Sequence, residues 1–130
     1  MAKYVYPAVI RFEDDTYYVS FPDIRNCFTD GDTLAEAIEM AEDVLALTLC
    51  KYEDDEKELP NVSDIKGLGK AENETASLIF CDTTEYRKSN DNRAVKKTLT
   101  IPAWLNTKAE KAGVNFSQTL QNALIERLNA

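Results

Sequence analysis

The sequence predicts an α+β fold in two parts: a small β-sheet with one packed helix, followed by a short strand and two helices. Strand-like runs surround one amphipathic helix in residues 1–88, whereas residues 95–130 show one alternating run and then helical spacing. The charge divides at the same place. Residues 1–92 carry nine basic and 21 acidic side chains, a net of −12, and residues 93–130 carry six and two, a net of +4. The two parts therefore have opposite electrostatic preferences.

The composition excludes several classes of protein. A chain of 130 residues with 44% hydrophobic side chains can bury a core. Its net charge of −8 argues against a nucleic-acid-binding role for the chain as a whole. The chain has no histidine, which excludes imidazole catalysis and histidine metal sites, and we expect no cofactor and no metal.

The cysteine pattern and the apolar runs point to the cytoplasm. Cys27, Cys50 and Cys81 are far apart and form no CxxC pair, so we expect buried, reduced thiols. Residues 1–4 open no apolar signal region, and no apolar run approaches the roughly 18 residues that span a bilayer. A soluble cytoplasmic protein is expected.

Three strands are predicted before the main helix. Residues 4–12 are rich in β-branched and aromatic side chains, residues 13–16 form a turn, and residues 17–21 and 26–29 are the next two strands. Pro7 removes a backbone donor, so the first strand is expected at a sheet edge or near a bulge. Its alternate side chains share one face; they are Tyr4, Tyr6, Ala8, Ile10 and Phe12.

The main helix is predicted over residues 33–49. Thr33 can cap it, and Glu36 completes a capping box. Its apolar stripe consists of Leu34, Ile38, Ala41, Leu45 and Leu49, widened by Ala37 and Val44. Its outer face carries Glu36, Glu39, Glu42 and Asp43, for which solvation is the simpler interpretation and partner binding the alternative.

After this helix, residues 53–75 are predicted to form a long surface connection and residues 76–81 a last strand. Residues 89–94 are polar and are predicted to link a domain over 1–88 to a domain over 95–130. A metal-dependent nuclease would need several converging carboxylates. The available ones, Asp14, Asp15, Asp23 and Asp82, form no convincing set, so we do not expect an enzyme.

The final segment alternates along a predicted strand. Val95, Lys97, Leu99 and Ile101 fall on one, mainly apolar face, and Lys96, Thr98 and Thr100 fall on the other. Pro102 ends the strand and opens a helix, which Gly113 stops. A second helix is predicted to begin with Ser117 as its N-cap.

A lone strand and two short helices are too small to enclose a core. Two chains can solve this problem by pairing their strands across a two-fold axis beneath four helices. Lys96, Thr98 and Thr100 would then project from a two-stranded ribbon of the kind that fits the DNA major groove. The alternative is that these three side chains merely line a solvated strand face.

Two motifs resemble known families. Lys97-Thr-Leu-Thr-Ile-Pro102 with Gly113-Val-Asn-Phe-Ser-Gln-Thr-Leu120 resembles the ribbon–helix–helix domain of bacterial repressors. Phe21-Pro-Asp23 with Asp30-Gly-Asp-Thr-Leu-Ala-Glu-Ala37 resembles the HicB antitoxins. Together the two resemblances cover nearly the whole chain in the domain order of that family.

The resemblance implies a partial RNase H-like N-domain of order β-β-β-α-β and a dimeric DNA-binding C-domain. It implies a HicA-like partner, a small basic ribonuclease that cleaves mRNA, and repression of the antitoxin's own operon. The implied partners are therefore this toxin, operator DNA and a second copy bound through residues 95–130, with a dimer of dimers left open.

The resemblance also assigns residues to the two binding surfaces. The implied base-reading positions are Lys96, Thr98 and Thr100, and the implied phosphate region adds Lys97, Asn115, Phe116, Ser117 and Gln118. The candidate toxin contacts are Phe21, Pro22, Asp23, Arg25, Glu36 and Glu39.

Two other functions remain open on the residues alone. One is a stand-alone ribbon–helix–helix regulator whose N-domain binds a small molecule or only oligomerises. The other is a metal-dependent nuclease built on the RNase H-like half.

Overall fold

The computed structural model describes residues 2–91 and 93–130, and the chain divides into two compact units, residues 1–92 and residues 93–130. The first unit contains β1 (Lys3–Glu13), β2 (Thr16–Ser20), β3 (Phe28–Gly31), α1 (Leu34–Asp54), β4 (Glu74–Asp82) and α2 (Thr83–Asn90). The second contains α3 (Ala103–Lys111) and α4 (Phe116–Leu128). The predicted α+β class and the predicted order of three strands, a helix and a strand are confirmed.

The four strands form one antiparallel sheet in the order β3-β2-β1-β4. β1 pairs with β4 from Lys3 to Arg11 and with β2 only from Val9 onward. The expectation that β1 is an edge strand is therefore wrong, because β1 lies inside the sheet. At Pro7, however, only β4 lies alongside, so the proline interrupts the ladder where the strand has one neighbour.

α1 packs on one face of the sheet and closes the core. The side chains beneath it come from alternate positions of the strands, as the period-two pattern predicted. The buried cluster contains Tyr6, Ala8, Ile10, Val19 and Ile79 from the sheet and Ala37, Ala41, Leu45 and Leu49 from α1. Cys27, Cys50 and Cys81 are all free and buried, as expected.

The start of α1 confirms the predicted cap, but its end does not match the prediction. Thr33 Oγ1 accepts a hydrogen bond from the Glu36 N–H at 3.1 Å. The helix continues to Asp54, so residues 53 and 54 are helical rather than part of the connection. It ends in a Schellman-type turn in which Glu56 takes a left-handed φ of 53° and the Lys57 N–H donates to Tyr52 O at 3.0 Å. Glycine usually takes this position, so the signal for the end was weak.

The connection between α1 and β4 is fastened to the sheet unit. The Tyr6 hydroxyl donates to Pro60 O at 2.6 Å. The Asp23 carboxylate accepts from both the backbone N–H and the hydroxyl of Ser63, the former at 2.8 Å. A short 3-10 turn at Ile65–Gly67 follows. β4 then begins at Glu74, two residues before the predicted start, because its pairing with β1 extends to Arg11.

α2 was not predicted. The Asp82 side chain caps it by accepting from the N–H groups of Thr84 and Glu85, at 3.0 and 3.3 Å. The helix runs to Asn90, so the predicted linker over 89–94 begins inside a helix. Residue 92 of that linker lies outside the described residues.

The second unit consists of two helices joined by a glycine turn. Gly113 has a φ of +70° just after α3, which confirms its predicted role as the stop. α4 starts at Phe116, and Asn115 caps it by accepting from the Gln118 N–H at 3.0 Å. The prediction that Ser117 is the N-cap is therefore wrong, since Ser117 lies inside the first turn.

Candidate protein-binding and nucleic-acid interfaces

Residues 95–101 form no strand within the single chain that the structure describes. Their apolar side chains are open: Val95 is 80% exposed and Leu99 62% exposed. Apolar side chains of α4, such as Leu120 and Leu124, are also exposed. A β-strand exists only when another strand pairs with it. The predicted strand therefore has the required alternation but lacks, in one chain, the partner that would form a sheet.

The polar candidates of this segment are all exposed. Lys96, Thr98 and Thr100 alternate with the apolar positions, and Lys97 lies between them. Four positive or hydrogen-bonding side chains in five residues suit contact with an anionic polymer.

The N-terminus of α4 offers backbone donors. The first hydrogen bond of the helix joins the Thr119 N–H to Asn115 O at 3.0 Å, so the N–H groups of Phe116 and Ser117 precede the helical ladder. Such groups can bind a phosphate. Gln118 uses its side-chain amide to donate to Asn122 Oδ1 at 2.9 Å, so its side chain already has a partner within α4.

The outer face of α1 is the most acidic helical surface of the first unit. Glu36, Glu39, Glu42 and Asp43 are exposed along it. Residues 34–50 contain no lysine or arginine to balance them. A basic protein surface would be attracted to this face over a distance of roughly one Debye length, about 8 Å at physiological salt.

The loop after β2 differs from its predicted role. Phe21 is only 3% exposed and belongs to the core, so it is a packing residue rather than a surface contact. Asp23 holds Ser63 through both carboxylate oxygens and so positions the loop. Pro22 and Arg25 are exposed and remain available to a partner.

One buried carboxylate, missed in the sequence, joins α1 to the start of β1 and to α2. Glu53 Oε2 accepts from the Tyr4 hydroxyl at 2.8 Å and the Thr83 hydroxyl at 2.9 Å, and Arg87 lies 3.1 Å from Oε1. The side chain of Glu53 is only 12% exposed. Burial by itself raises the pKa of Glu53, but the hydrogen bonds, including these three, outweigh it and hold the pKa at about 2.

Substituting Glu53→Gln is expected to lower the free energy of unfolding at neutral pH by about 2–3 kcal/mol, because a charged acceptor in a buried network is removed. The Glu53 pKa lies below its ordinary value of 4.5. Its stabilisation is therefore complete above about pH 4.5 and is lost as the pH falls toward 2. Urea denaturation at a series of pH values should show a shallower acid-side decline for Glu53→Gln.

Asp54→Asn is the matched control, since Asp54 pairs with the same Arg87 at 3.0 Å but is 62% exposed. Its effect should be well below that of Glu53→Gln, as expected of a solvent-screened pair. Equal decreases in stability from the two variants would contradict the special role of Glu53.

The described residues do not form a metal centre: they contain no group of three or more cysteine or acidic side chains placed to hold an ion. The carboxylates considered for a nuclease have other roles. Asp14 and Asp15 form the β1–β2 turn with positive φ, Asp23 holds Ser63, and Asp82 caps α2. None of the helices described is both long and apolar enough to cross a membrane.

These features define a two-domain protein in which an acidic α+β domain precedes a basic helical unit. Residues 6–127 match the family model described as a HicB-like antitoxin of bacterial toxin–antitoxin systems. This chain belongs to the HicB-like antitoxins.

Similar proteins agree with this assignment. The antitoxin HicB 1 of Photorhabdus laumondii is 43% identical over 56 residues, which cover 42% of this chain and 36% of that protein. An uncharacterised 14.9 kDa protein of Haemophilus phage HP1 is 30% identical over 78% of this chain and 75% of its own length. A chain of a toxin–antitoxin complex from Streptococcus pneumoniae is 31% identical, with a TM-score of 0.63 over 96% of this chain and 99% of the other.

Proposed function

We propose that this chain neutralises a HicA-like, mRNA-cleaving ribonuclease by binding it, and represses its own operon in the cytoplasm. The first unit would bind the toxin, and the second would dimerise and bind DNA. The opposition of charge between the two units carries the proposal: net −12 over residues 1–92 and net +4 over residues 93–130. One protein then has one surface for a basic partner and another for an anionic polymer.

The toxin-binding half of the proposal involves no chemistry by this chain. An acidic surface raises the association rate with a basic ribonuclease and competes with RNA for the same cationic side chains. The exposed carboxylates of α1, with Pro22 and Arg25 of the loop after β2, are the proposed contacts. We take the first unit to be a partial RNase H-like fold used as a scaffold, because its carboxylates serve turns and caps.

The DNA-binding half follows from the uncovered apolar residues of the second unit. Pairing residues 95–101 of two chains would satisfy the open backbone and bury Leu99, Ile101, Leu105, Leu120 and Leu124 under four helices. This is the ribbon–helix–helix arrangement. Lys96, Thr98 and Thr100 would then read bases, and the start of α4, with Lys97, would hold the phosphates.

Purification from the native operon tests the toxin partner. The chain would be tagged, isolated in low salt, and its companions identified by mass spectrometry. A stoichiometric, small, basic, histidine-containing protein is the expected result. A clean homodimer without a companion would contradict the antitoxin role and favour a stand-alone DNA-binding regulator.

Thr98→Ala or Thr100→Ala is expected to weaken discrimination between operator and non-operator DNA by about 1–3 kcal/mol for each base-specific interaction that the substitution removes. Toxin binding should not change, because these residues lie in the second unit. Fluorescence anisotropy with labelled operator and scrambled duplexes measures the difference.

Thr107→Ala is the matched control, since the Thr107 hydroxyl donates to Ala103 O within α3. It should leave the discrimination unchanged. Unchanged operator affinity in Thr98→Ala and Thr100→Ala would show that the ribbon does not read bases.

A further inference from the structure

The sheet of the first unit has a second face, opposite α1, and strand register shows which side chains it carries. Directly paired residues share a face, and side chains alternate along each strand. Val5 pairs with Phe80, Pro7 with Leu78, and Val9 with both Ala76 and Ser20, which in turn pairs with Phe28. The helix-free face therefore presents one continuous apolar band across all four strands.

This band is open to solvent, unlike the face beneath α1. Phe28 is 67% exposed, Leu78 56%, Phe80 50% and Val5 44%. A recess of about 320 Å³ lies beside Phe28 and Val9. Large contiguous apolar patches on a soluble domain mark interaction surfaces far more often than isolated apolar residues do.

Charged side chains border the band at both ends. At one end the register aligns Asp30, Tyr18, Arg11 and Glu74, and at the other it aligns Lys3 with Asp82. Arg11 stacks on the Tyr18 ring at 5.0 Å, and Asp82 caps α2. An apolar centre with a polar border is the usual anatomy of a protein–protein interface.

The charge of this face identifies the kind of partner that it fits. It carries two basic and three acidic side chains, a net of −1, within a unit of net −12. A basic toxin gains more from the outer face of α1, where four acids have no basic neighbour. Two strongly acidic copies, in contrast, can approach each other with least repulsion through their nearly neutral faces.

We propose that the helix-free sheet face binds the same face of a second copy of this chain. A two-fold pairing of identical faces buries the Val5–Phe28–Leu78–Phe80 band and lets the basic and acidic residues of the border face their opposites. This contact is separate from the proposed pairing of residues 95–101. With both contacts in place, four chains assemble, and two DNA-binding ribbons belong to one particle.

The test is the mass of the full-length chain in solution, measured by light scattering or sedimentation over a range of concentrations. Leu78→Lys should halve the assembly, from four chains to two. The halving does not depend on the second unit, since without its pairing the change is from two chains to one. Phe80→Glu should do the same, and far-UV circular dichroism should show that both variants remain folded.

Leu47→Lys is the matched control. Leu47 is also 56% exposed but lies on α1, so the same substitution there should leave the mass unchanged. Equal masses for the wild type and Leu78→Lys would overturn the proposal. A wild-type mass of two chains, with the copurified basic protein absent only from Leu78→Lys, would assign the face to the toxin and also overturn it.

Discussion

Removing residues 93–130 is expected to leave a folded domain that still neutralises the toxin but no longer binds operator DNA. The first unit has its own four-stranded sheet and a buried core that α1 closes. None of the proposed DNA contacts lies within residues 1–92. Operator affinity should fall to the level of non-specific binding, about a thousandfold or more.

Two measurements separate the two activities of the truncated chain. Electrophoretic mobility shift with an operator duplex reports DNA binding, and rescue of growth during toxin expression reports neutralisation. Loss of rescue would show that the second unit takes part in toxin capture. A full-length Leu124→Asp variant is the companion test, because it should weaken the proposed second-unit dimer and its DNA binding while keeping every other residue.

Local signals in the sequence predicted the elements whose ends are fixed by short-range hydrogen bonds. The Thr33 cap lies where the capping box placed it, and Gly113 takes the left-handed φ that stops α3. In these cases one or two residues determine the geometry, so the pattern is sufficient.

The errors in the helix ends arose where two residues could take one role or where an unusual residue took it. Asn115 and Ser117 are both good caps, and the structure uses the earlier one. Glu56 adopts the conformation normally left to glycine, which extends α1 beyond its apparent end. Asp82-Thr-Thr-Glu85 is a readable capping signal, and giving it weight would have predicted α2.

Long-range pairing explains what the sequence could not provide. The Pro7 pattern predicted an edge strand, but the arrival of β4 from 60 or more residues later makes β1 central. Residues 95–101 show the opposite case: their alternation is clear, but no strand in the same chain pairs with them. Strand prediction from one chain therefore depends on partners that the local pattern does not specify.

The candidate sites follow the same division. The polar positions of residues 96–100 were predicted from alternation, and the structure leaves them exposed. On the first unit, the family motif drew attention to Phe21 and Asp23, which prove to be a core residue and a loop anchor. The apolar band of the sheet became visible only from strand register, since β1 is apolar on both faces.

Gly31→Ala is expected to be the most destabilising single-methyl change in the first unit. A Cβ built on Gly31 would lie 2.5 Å from Ala37 N and 2.7 Å from Ala37 Cα. These are backbone atoms in the first turn of α1, which cannot move aside as a flexible side chain would. β3 would have to separate from α1, at a cost of about 1–3 kcal/mol, and Gly31→Val should cost more.

Thermal and urea denaturation of the full chain would measure the decrease in stability, with Gly67→Ala as control, because a Cβ built there meets nothing within 4 Å. Gly31→Ala with wild-type stability would contradict the close approach of β3 to α1. The expected result gives a physical reason for part of the family motif. Gly31 and the fully buried Ala37 are small because the strand and helix touch there, so this part of the motif specifies packing rather than toxin contact.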